Sequence, residues 1–362
     1  MKPPVRCAAG LRPPGDAARG RAVSRPRLVA GRFAVAGLGL ALLGFALATL
    51  PSAARAAQDD FVPGGIFRLG LSASSDTQTK AVARDSVNHG LEVYALPDPG
   101  DAGKVSGTLS REIHETDLQL QLGLTDRWNI SVTVPYVQAT QHSTLRVKDP
   151  AANPALTAAV AALNSRTVSG MGNLRFTSLH RPVFTDANGF IWGWGFTESP
   201  ERNSGVYTGT GTLQTRDPFG TVFGLIHYTH YPQWARGRFD MRLEYSVSLI
   251  DNVNLPTGQR VSILGPPGVL SSVGWEHEPG AWIYEFRVDQ RTTLQSRLDG
   301  ESQSDPIKEW IFHAKLGYGN LIELEAAPIR HPYQVSLTWD STFFAYNAPI
   351  RDRWGLLYVT YF

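Results

Sequence analysis

Cysteine is all but missing. Among 362 residues there is one, Cys7, and it precedes an apolar run near the N-terminus. No disulfide can brace the rest of the chain, and no thiolate can hold a metal there. Charge is also scarce, at 18%. The formal net charge of +2 suggests a basic protein, but residues 1–56 hold nine bases and one acid, leaving 25 bases against 31 acids in the remainder. A nucleic-acid-binding surface loses its support once that leader is set aside. Catalytic motifs are lacking too. No histidine sits in a nucleophile motif. His142 and Ser143 adjoin, but neighbours in a strand point apart, and His227 and His230 have opposite strand parity. Gly193-x-Gly195 and Gly209-x-Gly211 lack the strand-to-helix setting of a phosphate loop. No cofactor and no metal are expected.

Glycine and aromatic residues are present in quantity: Gly 35, Trp 9, Tyr 12 and Phe 16. That mixture suits a sheet-rich protein with rings at defined heights. The N-terminus reads as an export signal. Residues 1–32 are rich in arginine and proline, Phe33–Leu50 carries no charge, and Ala54-x-Ala56 offers a cleavage site. A single spanning helix is the alternative, since 18 residues is near the lower limit. The expected division is 1–56 signal peptide and 57–362 mature domain.

The stretch Asp117–Val137 shows what that domain repeats. Leu118, Leu120, Leu122 and Leu124 share one face, against Asp117, Gln119, Gln121 and Gly123. After Thr125-Asp126-Arg127 the alternation resumes, with Trp128, Ile130, Val132, Val134 and Tyr136 on the apolar side. Period-2 alternation predicts two strands and a tight turn. The same pattern recurs in Phe67–Ser74, in the Phe190, Trp192, Trp194 and Phe196 row, and in Phe239–Leu249. It recurs again in Trp282–Asp289, in Ile307–Tyr318 and in Arg353–Phe362. Rows of exposed rings would be an aggregation hazard in water and are ordinary against lipid.

Short turns are expected near 126, 185, 234, 279 and 319, and longer loops near 90, 155, 208, 262, 299 and 348. This asymmetry is the habit of outer-membrane barrels. In hydrocarbon a sheet can span only when closed, because every backbone polar group needs a partner. The expected fold is all-β: a closed antiparallel transmembrane β-barrel of 12 strands, or 14 if Leu321–Ser341 is a hairpin or Val206–Gln214 adds a strand. Residues 75–105 and 141–170 read as loops, the second with a short helix at Pro154–Leu163. Leu120 and Val132 should be solvent-exposed when lipid is absent; both packed in a protein core would contradict the barrel.

Three segments occur in a characteristic order. They are Gly123-Leu124-Thr125-Asp126-Arg127-Trp128 with Val134-Pro135-Tyr136, then Ser169-Gly170-Met171-Gly172-Asn173-Leu174, then Leu255-Pro256-Thr257-Gly258. Together they resemble a Gram-negative outer-membrane family labelled transporters or phenol meta-cleavage pathway proteins. This chain departs from the family pattern at Asn173 and Gln259, where an acid is usual. The resemblance implies passage of a small solute, with hydrophobic or aromatic compounds suggested by it alone. The final strand, with Trp354, Leu356, Tyr358 and terminal Phe362 on one face, resembles the signal that barrels present to their assembly machinery. Thr360 stands there where an apolar residue is usual.

If the apolar faces meet lipid, the opposite faces line a lumen. Its charged candidates are Asp117, Arg175, Arg238, Asp240, Arg242, Glu244, Glu285, Arg287, Asp289, Lys315, Glu323 and Glu325. They can form a salt-bridged interior that rigidifies the barrel, or a polar constriction that filters solutes. Expected partners are outer-membrane lipids, the assembly machinery and an unidentified small solute. Two other classes stay open: an outer-membrane lipid hydrolase, and a secreted soluble β protein that binds sugars.

Overall fold

The computed structural model describes residues 61–82, 88–96, 99–198, 220–232, 237–254, 260–295, 297–298, 301–302, 306–320 and 332–362. Both the leader and its cleavage site lie outside them, as do Val206–Gln214, Leu255–Gly258, Glu323 and Glu325.

Twelve antiparallel strands form one closed sheet. They are β1 Phe67–Val82, β2 Leu109–Thr125, β3 Trp128–Ser143, β4 Leu174–Phe184, β5 Asn188–Glu198 and β6 Thr221–His230. There follow β7 Gly237–Ser248, β8 Gly268–His277, β9 Trp282–Thr293, β10 Ile307–Gly319, β11 Tyr333–Tyr346 and β12 Ala348–Tyr361. Each pairs with its sequence neighbours, and β1 closes the ring by pairing with both β2 and β12. The last residue helps seal that seam: the N–H of Phe362 donates to the carbonyl of Phe67, and the N–H of Phe67 to the carbonyl of Phe362. Strand β5 pairs directly with β6, which leaves no place for a thirteenth barrel strand between them.

Alternation sets the two faces. Outward side chains make a belt of Leu69, Leu118, Val132, Ile226, Met241, Val273, Leu316 and Leu337, flanked by rings. Trp282 lies edge-on to Tyr318 at the short-turn end, with centroids 5.3 Å apart. Trp339 stacks on Trp354 nearer the loop end, at 5.8 Å. The four aromatics of β5 all face outward, with Trp194 47% exposed. Val132 is 38% exposed. Leu120, half-buried between its cross-strand neighbours Leu69 and Val132, lies on the same outer face. A soluble sandwich would cover such faces with a second sheet. The only other sheets among the described residues are small ones at the loop end. The exposed apolar belt is what a closed barrel set in lipid presents.

Several sequence expectations need correction. Strand β1 continues to Val82, through residues read as loop. Beyond Ser75 both faces leave the apolar belt, so alternation stops while pairing to β12 continues. The end of the chain shows the same effect. The loop expected near 348 is a tight turn at Asn347, whose φ of 52° suits the short polar side chain of asparagine. Strand β11 therefore begins only at Tyr333, after Pro332, and β12 begins at Ala348 rather than Arg353. At the expected short turn near 319, β10 ends at Gly319 and β11 begins at Tyr333; residues 321–331 lie outside the described residues.

The helix expected at Pro154–Leu163 is present as α2, Pro154–Ala162, with proline in its first turn. A helix that the sequence did not announce, α1, covers Leu91–Ala95. Both sit at the loop end. Leu91 packs with the inward residues Ala81 and Leu109. Leu156, Val160 and Leu163 pack with Leu96 and Val105. These loops thus fold onto the inner side of β1–β3 at that mouth. At the other end Pro63 passes over Gly123, where a Cβ would lie 1.9 Å from the Pro63 carbonyl oxygen, so only glycine fits.

Two of the family-like segments touch. Gly172 breaks the path between a short strand, Arg166–Met171, and β4. Its N–H donates to the carbonyl of Pro135 at 2.9 Å, and a Cβ there would meet the Pro135 ring at 2.9 Å. Strand β3 consequently pairs with Arg166–Met171 along one half and with β4 along the other.

Candidate functional site

The inward faces carry the charge. On β7, Arg238, Asp240, Arg242 and Glu244 occupy alternate inward positions and form two pairs. Arg238 reaches Asp240 at 2.9 Å, and Arg242 reaches Glu244 at 2.7 Å. On β9, Arg287 lies between Glu285 and Asp289, at 2.9 Å from each. Lys315 of β10 ties the strands together, at 2.7 Å from Glu276 and 2.6 Å from Glu285. Arg238 closes the chain of contacts at 3.3 Å from Glu276. One wall of the interior is thus a continuous ladder of alternating charge across β7–β10.

Across the barrel the pairs are separate. Arg353 of β12 reaches Glu115 of β2 at 3.0 Å. Asp117 accepts a hydrogen bond from the Ser72 hydroxyl at 3.0 Å. Arg175 of β4 reaches Glu244 of β7 at 2.8 Å, although two strands intervene. The intervening β5 makes this possible by presenting Gly193 and Gly195 inward. A Cβ on Gly195 would lie 2.4 Å from the ring of Phe223, which occupies that space instead. The guanidinium of Arg175 then lies 3.9 Å above the Phe223 ring, a cation–π contact.

Between these walls is a cavity of about 320 Å³. Arg68, Arg175 and Arg242 line it, together with Gln119, Gln121, Ser131, Thr133, Thr177 and His227. Leu179, Ile191, Leu225 and Leu357 supply an apolar side. Among the described residues no carboxylate faces it.

The structure thus brings Arg175, Arg242 and Glu244 together, and separately Arg238, Asp240, Glu285, Arg287, Asp289 and Lys315. Asp117 stands apart from both groups. Sequence reasoning missed Arg68 and Glu276 as participants, although both have inward parity. It missed Phe223, Leu225 and His227 because β6 is apolar on both faces, which hides its phase.

One cluster looks catalytic at first sight. The Nε2 atom of His227 is 2.9 Å from Asp240, and the Thr229 hydroxyl is 3.4 Å from the same Nε2. A hydrolytic relay needs the acid on one ring nitrogen and the nucleophile on the other. Here both crowd Nε2, and Thr229 donates directly to Asp240 at 3.1 Å. His313 pairs with Asp340 through Nδ1. No cluster of metal-ligating side chains occurs among the described residues.

Outside the strands, Glu278 lies in the turn after β8. Burial, with the Glu276 carboxylate beside it, pushes Glu278 up to about 8.

No protein-family model matches this sequence, and no curated protein matches it. Solved structures do. An outer-membrane channel from Pseudomonas putida F1 superimposes with a TM-score of 0.59 at 13% identity, covering 87% of this chain and all of that one. The fold is that of a transmembrane outer-membrane β-barrel. The β domain of the Bordetella autotransporter BrkA scores 0.37 at 10% identity, covering 80% of this chain and 98% of that one. The Ralstonia pickettii toluene transporter TbuX scores 0.34 at 10% identity, covering 83% and 90%. Likeness at those last two scores carries no weight for function.

Proposed function

We propose that this protein is a passive outer-membrane channel for small solutes. The observation that carries this reading is the inner face. A closed barrel that served only as an anchor could fill its interior with apolar side chains. This one keeps a wall of paired charge on one side and a polar cavity on the other, which suits a solute moving through an aqueous lumen. The channel of similar fold from Pseudomonas putida supports the reading. The leader directs export, with cleavage after Ala56, and the terminal strand through Phe362 engages the assembly machinery. By the rule that barrel turns are short on the periplasmic side, both ends of the mature chain face the periplasm. The geometry around His227 speaks against a hydrolase, and no cofactor is invoked. Single-channel recording in planar bilayers tests the proposal. Discrete conductance steps are expected. Folded protein that inserts and never conducts would refute it.

A further inference from the structure

The cavity has a composition that generic pore lining does not require. Three guanidinium groups converge on it, and two of them, Arg175 and Arg242, share the same oxygen of one carboxylate, Glu244. Arg68 has no acid at all among the described residues. Its partner is the side-chain oxygen of Gln121, at 2.9 Å, and its Nε is buried without an acceptor. Along β7–β10, by contrast, the cations stand in contact with carboxylates. Here positive charge is left in surplus, and leucine and isoleucine side chains line the same cavity.

We propose that this cavity is a binding site for small organic carboxylates with an apolar body, a specificity that rests on the channel reading above. A guanidinium fork matches a carboxylate with two parallel hydrogen bonds. Leu179, Leu225 and Leu357 would bury the hydrocarbon. A bare hydrocarbon leaves the arginines unanswered, and an inorganic anion leaves the leucines so. A volume of about 320 Å³ accommodates a single-ring acid.

The test is calorimetric titration of the folded full chain in detergent with benzoate, benzyl alcohol and acetate. Benzoate should bind at least about tenfold more tightly than either, since a charge-assisted contact and apolar burial each contribute on the order of 1.4 kcal/mol or more. Arg68→Gln should lower benzoate affinity about tenfold and leave benzyl alcohol unchanged. This change strands no buried acid, because the partner is neutral Gln121. If that variant fails to fold, Gln121→Glu gives a second route: the new carboxylate occupies Arg68, and benzoate binding should fall. Equal binding of benzoate and benzyl alcohol, or of benzoate and acetate, would overturn the proposal. So would affinity indifferent to both variants. Benzoate flux into vesicles separates the two readings. Arginine-dependent binding without conductance or flux refutes the channel and keeps the site. Flux and binding that ignore charge keep the channel and refute the site.

Discussion

Lys315→Met puts the charge ladder to its severest test. The Lys315 ammonium is 13% exposed and lies between Glu276, 1% exposed, and Glu285, 14% exposed. Methionine keeps much of the length and removes the charge. Glu285 retains Arg287 at 2.9 Å. The cation left to Glu276 is Arg238, at 3.3 Å and shared with Asp240. Removing one partner of a buried pair costs about 3–5 kcal/mol. The surviving arginine contacts set the expectation at the low end, about 3 kcal/mol. Urea unfolding in lipid vesicles, followed by tryptophan fluorescence and by gel migration, measures it. Adding Glu276→Leu should recover most of the loss, because a matched apolar pair no longer strands a charge. A Lys315→Met barrel within about 0.5 kcal/mol of the parent would refute the reasoning, and so would a double variant worse than the single.

Three further outcomes follow from the same geometry. Val132→Arg, on the outward belt, should destabilise the barrel by about 2–4 kcal/mol, whereas Thr133→Gln beside it, pointing into the lumen opposite Arg175, should cost far less; urea titration compares them. Glu278 titrates near 8 when folded against 4.5 for a free glutamate. The folded state therefore holds that proton more tightly, so the contribution of Glu278 to stability is full below about pH 4.5 and is lost as pH rises toward about 8. Glu278→Gln should flatten that slope in pH-dependent unfolding, and an unchanged slope would assign it elsewhere. Deleting Phe362 removes two backbone hydrogen bonds to Phe67 at the seam. Fractionation should then recover less folded protein from the outer membrane, while normal yield would remove the terminal residue from the assembly signal.

Much of this fold is legible because a membrane enforces alternation more strictly than water does. Phe190, Trp192, Trp194 and Phe196 have one acceptable side, and their phase is unambiguous. Legibility stops where the lipid stops. Thr77–Val82 continues β1 beyond the apolar belt, and both its faces are free to be polar. It stops also where the interior is apolar, as at Phe223 and Leu225, since period 2 then carries no contrast. Thr360 shows a third limit. It faces outward among aromatics, yet it is buried because its hydroxyl donates to the Pro332 carbonyl at 3.0 Å. That contact depends on where the chain enters β11, which local pattern does not encode. In the lumen, which of the charged residues meet depends on stagger between strands, which alternation within one strand does not encode. Arg175 reaching Glu244 needed the two glycines of β5, and their role becomes visible only once β4 and β7 are placed around them.

The central claim is that lipid covers the outer face of this barrel. Tryptophan quenching by acyl-chain-brominated phospholipids tests it most directly, because Trp128, Trp192, Trp194, Trp282, Trp310 and Trp354 all face outward and exposed. Reconstituted protein should lose most of its fluorescence in brominated bilayers relative to unbrominated ones. Equal fluorescence in the two, from folded protein, would mean that those rings never meet hydrocarbon and would contradict the account.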